Sequence, residues 1–206
     1  HPPGKTLVTG DAPDTLEVEG GLPVKINMGQ SAYFRSRYAA DAFAGLADKF
    51  AVLPAVDQLG LLYDAWALGE AGLMPLSAYL DLTRQASAGA DTVIWRQIVE
   101  TLLAIDALYA GLPGRAALQA YAVRILAPVF ARIGWDRRPG EADNAAVLRE
   151  DLIGALGRLR DRAVVAEARR RFQDSVAHPE DPRSLPASIR QPVLRAVAFD
   201  ADAALY

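Results

Sequence analysis

The feature that most limits the fold of this chain is an apolar pattern with the period of an α-helix, which begins near residue 39 and continues to about residue 199. The segment DTVIWRQIVETLLAIDALYAG, residues 91–111, shows it clearly. Asp91 is a suitable N-cap, and Gly111 followed by Pro113 ends the pattern. The apolar stripe between these signals consists of Ile94, Ile98, Leu102, Ile105 and Tyr109. Such a stripe predicts a helix with one side against a core.

The same signals predict about eight helices, joined by short turns that contain glycine or proline. Besides the helix at 91–109, we expect helices at residues 41–49, 54–72, 76–87, 115–133, 143–159, 162–176 and 186–199. In the 54–72 helix the expected buried stripe is Val56, Leu59, Leu62 and Trp66.

Some of these helices carry apolar residues on more than one side. Val99 and Leu103 lie off the main stripe of the 91–109 helix, which indicates contact with two neighbouring helices. Stacked helical hairpins have this property, although the letters show no clean repeat period. The pattern therefore favours a mostly α fold, an irregular α-solenoid of HEAT-like stacked helical hairpins, over residues 39–206.

The first 38 residues have a different pattern, with short alternating runs separated by glycine and proline. TLEVEGG alternates through Leu16 and Val18, VKIN alternates through Val24 and Ile26, and AYFRSRY follows a Met-Gly-Gln turn. We predict a few β-strands here. Because so few strands cannot cover their own apolar face, they are expected to be the remnant of an incomplete β-sandwich domain at 1–38, ahead of the helical domain at 39–206.

Composition excludes several classes of function. A net charge of -3 provides no field that would attract nucleic acid or an anionic membrane, and we expect neither as a partner. The chain has no cysteine, which rules out disulfides and thiolate chemistry and suits a cytoplasmic location. We expect no membrane-spanning run, and since the chain starts without Met we expect its natural N-terminus to lie further upstream.

A search for catalytic and metal-binding patterns finds none. His1 and His178 are the only histidines, and no His-Glu-x-x-His pair is present to bind zinc. The glycine-rich motifs of nucleotide-binding enzymes and the serine elbow of hydrolases are also absent. We therefore predict no catalytic, cofactor-binding or metal-binding residue in this chain, with His178 a solvated loop residue.

The charged clusters are interpreted as surface features. Asp57, Asp64 and Glu70 have no histidine or lysine nearby on their helix and are predicted to form an acidic rim. The three arginines at 169–171 are predicted to fan over an exposed arc. Three further charged residues, Asp81, Arg84 and Arg96, are expected to form surface ion pairs, which say little about function.

Two segments carry a resemblance to a known family. VKINMGQSAYFRSRY resembles the N-x-G-Q-x-G-Y-Y-R-V-x-Y signature of zinc aminopeptidases of the aminopeptidase N family. DQLGLLYDAWALGEAG looks like that family's D-R-x-G-L-L-x-D-A-x-A-L-x-x-A-G segment, and DTVIWRQI, ARIGW, AVLRE and VVAEARRRF follow in family order. The sequence departs from the family at Gln58, usually Arg, at Ala32, usually Gly, and at Ser36, usually Val.

The resemblance implies the C-terminal part of a zinc-dependent aminopeptidase that removes N-terminal amino acids from peptides. In that family the helical domain encloses the catalytic chamber and limits access to it, while zinc and the catalytic residues belong to the catalytic domain upstream. The implied partners are that upstream domain of the same polypeptide and the peptide substrate, and this chain alone would be inactive. The alternative is a free-standing α-solenoid scaffold that binds a protein partner, which would lack leading strands.

Overall fold

The computed structural model describes residues 23–200. Within that range the chain forms eight α-helices, so the prediction of a mostly α fold with about eight helices is confirmed. The helices are α1 (Ala40–Asp48), α2 (Ala55–Glu70), α3 (Leu76–Gln85), α4 (Thr92–Leu108), α5 (Arg115–Ile133), α6 (Asp143–Arg158), α7 (Arg162–Ala177) and α8 (Ala187–Phe199).

The helix ends follow local chemistry. The Asp91 carboxylate accepts a hydrogen bond of 3.0 Å from the N–H of Val93 and so caps α4. Asp161 caps α7 in the same way, through a 2.8 Å bond from the N–H of Val164. Each cap satisfies a donor that the first turn of a helix leaves free. These two aspartates fix where α4 and α7 begin.

The strand prediction is wrong for the residues that can be compared with it. Within 23–200 the structure contains no β-strand, and Val24, Ile26 and the AYFRSRY segment lie in irregular backbone. Asn27, Gly29 and Gln30 adopt φ values of 53°, 69° and 51° around a single 3₁₀ turn, which no strand accommodates. The predicted strand through Leu16 and Val18 lies outside the described residues.

The helices are arranged in two layers. Along one layer, α2 packs on α4, α4 on α6, and α6 on α8, the last pair having the most extensive contact. On the other side, α3 lies against α2, α5 against α4 and α6, and α7 against α6 and α8. A single hydrophobic core runs between the layers. The expected stripe of α4 is confirmed, since Ile94, Ile98, Leu102 and Ile105 are all fully buried.

The stripe predicted for α2 is mostly wrong. Val56 is 43% exposed, and of the predicted residues only Leu62 is fully buried. The core side of α2 is instead made of Leu61, Leu62, Ala65 and Leu68. A second buried side carries polar residues, because α2 is covered there by the residues that precede α1.

Helix α5 meets the length and composition of a membrane span, which we did not expect from the sequence. Its best 18-residue window has a mean hydropathy of 1.3. The helix packs against α4 and α6, and its buried side chains belong to the core of the protein. Those side chains are Leu118, Ala122, Leu126, Val129 and Phe130. Packing between helices thus accounts for the apolar residues of its buried side.

Candidate functional site

Residues 23–38, called here the leading segment, are attached to α2 by two buried carboxylates. Asp57 Oδ1 accepts a 2.8 Å hydrogen bond from the N–H of Gly29, and Asp64 Oδ2 accepts a 3.1 Å bond from the N–H of Ser36. The aspartates lie seven residues apart, two helical turns, and so share one side of α2. Because irregular backbone needs partners for its N–H groups, these carboxylates replace the partner strand that a β-sheet would supply.

Each carboxylate also pairs with a cation from the leading segment. Lys25 Nζ lies 3.6 Å from Asp57 Oδ1, and both side chains are almost wholly buried, at 5% and 2% exposure. Arg35 Nη1 lies 3.4 Å from Asp64 Oδ1, but the Arg35 side chain is 56% exposed. The first pair is therefore the desolvated one, and loss of either partner would leave a buried charge without compensation.

The turn at Asn27–Gln30 is closed by the Asn27 side chain. Asn27 Oδ1 accepts a 2.9 Å bond from the N–H of Ala32, and Asn27 Nδ2 donates a 2.8 Å bond to the Ala32 carbonyl. Asparagine also tolerates the left-handed conformation that Asn27 adopts. The asparagine and glycine of the N-x-G-Q pattern thus have a structural role in shaping this turn.

The glutamine of the same pattern packs on the surface of α2. Its amide group lies so close to Gly60 that any Cβ at that position would collide with the Gln30 side chain. Glycine inside a helix is otherwise unfavourable, by about 1 kcal/mol relative to alanine. Gly60 therefore trades helix propensity for close contact with the leading segment.

The interpretation of Asp57 and Asp64 as an exposed acidic rim is wrong. Their exposure is 2% and 4%, whereas Glu70, the third member of the predicted rim, is exposed. The available signal was their spacing of two turns, together with an unusual leading segment that needed hydrogen-bond acceptors. Gln58, where the family usually has Arg, is also buried, and its Nε2 donates a 2.8 Å bond to the Leu53 carbonyl.

A groove crosses the layer formed by α2, α4, α6 and α8. Its volume is about 890 Å³. The lining combines apolar, acidic, basic and amide side chains, without a histidine, cysteine or serine among the residues described. The main contributors are Leu59 and Tyr63 from α2, Arg96, Gln97 and Glu100 from α4, Glu150, Asp151 and Arg158 from α6, and Gln191 and Arg195 from α8. Such a surface suits the reversible binding of a chain with mixed polarity rather than covalent chemistry.

Ion pairs tie the helices together along this groove. Arg96 Nε donates a 2.8 Å bond to Asp151 Oδ2 and so joins α4 to α6. Arg158 Nη2 lies 3.5 Å from Oδ2 of the fully buried Asp106. The hydrogen bond from Arg115, which is the largest influence, lowers the pKa of the Asp106 carboxyl below its ordinary value. The predicted surface pair of Asp81 with Arg84 is confirmed at 2.7 Å.

The run of three arginines in α7 is only partly the solvated arc that we predicted. Arg170 is exposed and pairs with Glu167, but the Arg171 side chain is only 13% exposed. It contacts Asp136 and Glu167, and its guanidinium lies 5.1 Å from the centre of the Trp135 ring. The hydrogen bond from Arg170, supported by Arg171, lowers the pKa of Glu167 to about 2. This cluster fastens α7 to the α5–α6 connection.

The described residues do not form a zinc site. Across residues 23–200 no three acidic or histidine side chains converge as metal ligands would. His178 follows α7 in an exposed position, with Nδ1 3.1 Å from Asp174 Oδ1. His1 lies outside the described residues. A zinc ion in the parent protein would thus need ligands from other parts of that protein.

Comparison with known proteins places these features in a family. The family model described as "ERAP1-like C-terminal domain" matches residues 23–206, a range that includes the leading segment and all eight helices.

Curated relatives share the same stretch of sequence. Aminopeptidase M1-A of Oryza sativa subsp. japonica is 31% identical over 174 residues, which is 82% of this chain and 20% of that protein. Aminopeptidase 2, mitochondrial, of Saccharomyces cerevisiae is 23% identical over 195 residues, 94% of this chain and 20% of its own length. Aminopeptidase M1 of Arabidopsis thaliana is 27% identical over 180 residues, 84% of this chain and 20% of its length.

The chain spans about a fifth of the length of these relatives. The resemblance to the C-terminal part of an aminopeptidase is thereby confirmed, and this chain belongs to the family of ERAP1-like C-terminal domains.

Proposed function

We propose that this chain is the C-terminal helical domain of a zinc-dependent aminopeptidase, a peptide hydrolase that removes N-terminal amino acids from peptides. The observation that carries the proposal is the family match over residues 23–206, together with relatives that are named aminopeptidases. In this proposal zinc and the catalytic residues belong to an upstream catalytic domain of the same polypeptide. The isolated chain is inactive.

The role of the chain in the parent enzyme is to enclose the catalytic chamber and limit substrate access. The order α2, α4, α6, α8 within one layer supports an irregular α-solenoid, whose inner layer would present a long surface to the chamber. The groove on that layer has both signs of charge and an apolar floor, which suits the distal part of a peptide. An enclosed, water-poor chamber would strengthen the electrostatic interactions on which hydrolysis depends.

Filling the groove tests this role. Gly154 lines the groove, and a Cβ there would meet only Pro192 Cβ, at 4.0 Å. In the full-length parent, Gly154→Leu should slow the hydrolysis of longer peptides, because their distal residues would reach the groove. Hydrolysis of a chromogenic aminoacyl substrate should be unchanged, since that substrate is too short to do so.

Gly154→Ala is the matched control, and thermal unfolding of both variants verifies that they are folded. Equal kinetics for peptides of every length in Gly154→Leu would contradict the proposed role of the groove. A parent protein without peptidase activity that instead binds a protein partner through this groove would favour the scaffold alternative.

A further inference from the structure

The outer side of the leading segment exposes a concentration of large apolar side chains. Tyr33 is completely exposed, and four further side chains are between 41% and 54% exposed. Elsewhere in the described residues, exposed apolar side chains are distributed among turns and separate helix faces. We call this surface the apolar strip, and it consists of Val24, Ile26, Met28, Tyr33 and Phe34.

The apolar strip cannot turn inward without breaking the contacts that hold the leading segment. The N–H groups of Gly29 and Ser36, on either side of Tyr33, are bound to Asp57 and Asp64. The Asn27 side chain fixes the turn between them through two bonds to Ala32. A loop that is already held in one conformation loses little entropy when it binds, so exposed aromatic side chains on it make efficient anchors.

We infer that the apolar strip is the docking surface for the domain that precedes this chain in the parent polypeptide. This inference rests on the proposed function. The relatives are about five times as long as the matched region, and the family description places that region at the C-terminus, so the remaining chain comes before it. The strip lies on the segment through which the polypeptide reaches α1, where the preceding domain is necessarily near.

The chemistry of the strip defines the surface that would cover it. Five apolar side chains need an apolar partner surface, and the Tyr33 hydroxyl needs a hydrogen-bond acceptor within it. Arg35 and Arg37 are exposed at one end of the strip, which favours acidic side chains at that edge of the partner. Because the two domains share one polypeptide, their effective concentration is high and a small interface is sufficient.

Hydroxyl-radical footprinting of the full-length parent and of the 206-residue chain tests the inference. Tyr33 and Met28 should be labelled in the 206-residue chain and lose that labelling in the parent. Tyr63 and Leu112 are exposed at 42% and 54% and lie away from the strip. Leu112, in the turn after α4, is the reference that should be labelled equally in both proteins.

Three outcomes would overturn the inference. Equal labelling of Tyr33 in both proteins would show that no preceding domain covers it. Protection of Tyr33 in the 206-residue chain at every concentration would assign the strip to residues 1–22, and protection that rises with concentration would assign it to a second copy of the chain.

A paired substitution separates this inference from the proposed function. Tyr33→Ser in the full-length parent should increase proteolytic cleavage between the preceding domain and α1, whereas Leu112→Ser should not. Loss of footprint protection in a parent that retains peptidase activity contradicts the inference alone. Retained protection in a parent without peptidase activity contradicts the proposed function alone.

Discussion

The Asp57 carboxylate on α2 accepts a 2.8 Å hydrogen bond from the N–H of Gly29, a residue 28 positions earlier in the chain. This bond joins irregular backbone to a helix that is itself part of the core. Asp64 repeats the arrangement two turns later with Ser36. Helix α2 therefore determines how the polypeptide approaches the helical domain, and substitutions at this contact should act on the leading segment first.

Asp57→Asn should destabilise the protein by about 2–4 kcal/mol, because the buried Lys25 ammonium would lose its counter-charge. Urea unfolding measures the free energy, and hydrogen exchange at Gly29 reports the local contact. Ser36→Ala is the control, since it removes only a hydroxyl that lacks a partner among the described residues and keeps the N–H that binds Asp64. Equal stability of Asp57→Asn and the unsubstituted protein would show that the clamp is unimportant.

Two glycines of α2 should respond oppositely to alanine. Gly69→Ala places its Cβ at an ordinary 3.9 Å from the Met74 carbonyl and should stabilise the helix by up to about 1 kcal/mol. Gly60→Ala should lose that gain or destabilise the protein, because the new methyl group displaces Gln30. Thermal unfolding compares the two variants directly. A similar stabilisation by both would contradict the close contact between Gln30 and Gly60.

The contact between α6 and α8 depends on Gly157. A Cβ at this position would lie 2.9 Å from Ala196 Cα, which is backbone and cannot move aside. Gly157→Ala should therefore destabilise the protein by about 1–3 kcal/mol through overpacking. Gly154→Ala, one turn earlier on the same helix, has room for its methyl group and serves as the matched control. Chemical denaturation that ranks Gly157→Ala as the more stable variant would refute this packing.

Asp106 should give the protein a measurable dependence on acid. Its carboxylate is fully buried and accepts bonds of 2.8 Å and 2.9 Å from Arg115, which lower its pKa below the ordinary 3.8. Because the pKa is lower in the folded state, the stabilisation is complete above pH 3.8 and is lost as the pH falls through the lowered value.

Asp106→Asn tests this dependence, because asparagine has nearly the same shape but no charge. The variant should be less stable near neutral pH and should lose less stability between about pH 5 and about pH 2 than the unsubstituted protein. Unfolding by urea across this range provides the comparison. Parallel stability curves for the two proteins would contradict a role for the Asp106 charge.

The helices could be predicted from the sequence because their signals are local. Asp91, Gly111 and the buried stripe of α4 lie within one helix and its ends, and the structure agrees with them. The leading segment could not be predicted in this way, since alternation at Val24 and Ile26 does not reveal the positive φ values between them and Ser36. Its conformation depends on acceptors in another element.

The same limit applies to the candidate site. Spacing places Asp57 and Asp64 on one side of α2, but their burial depends on a segment that binds from elsewhere in the chain. The groove depends on four helices that are distant in sequence, so residues such as Arg96 and Asp151 could not be paired in advance. Resemblance to a family identified the class of protein, whereas these contacts required the three-dimensional arrangement.

The most direct test of the proposed function compares the 206-residue chain with the full-length parent in one assay. Both are incubated with a chromogenic aminoacyl substrate, and bound zinc is measured for each by mass spectrometry. The account predicts that the parent binds zinc and releases the amino acid in a reaction that a chelator abolishes, while the 206-residue chain does neither. Stoichiometric zinc and chelator-sensitive turnover in the 206-residue chain, or a parent without turnover, would contradict it.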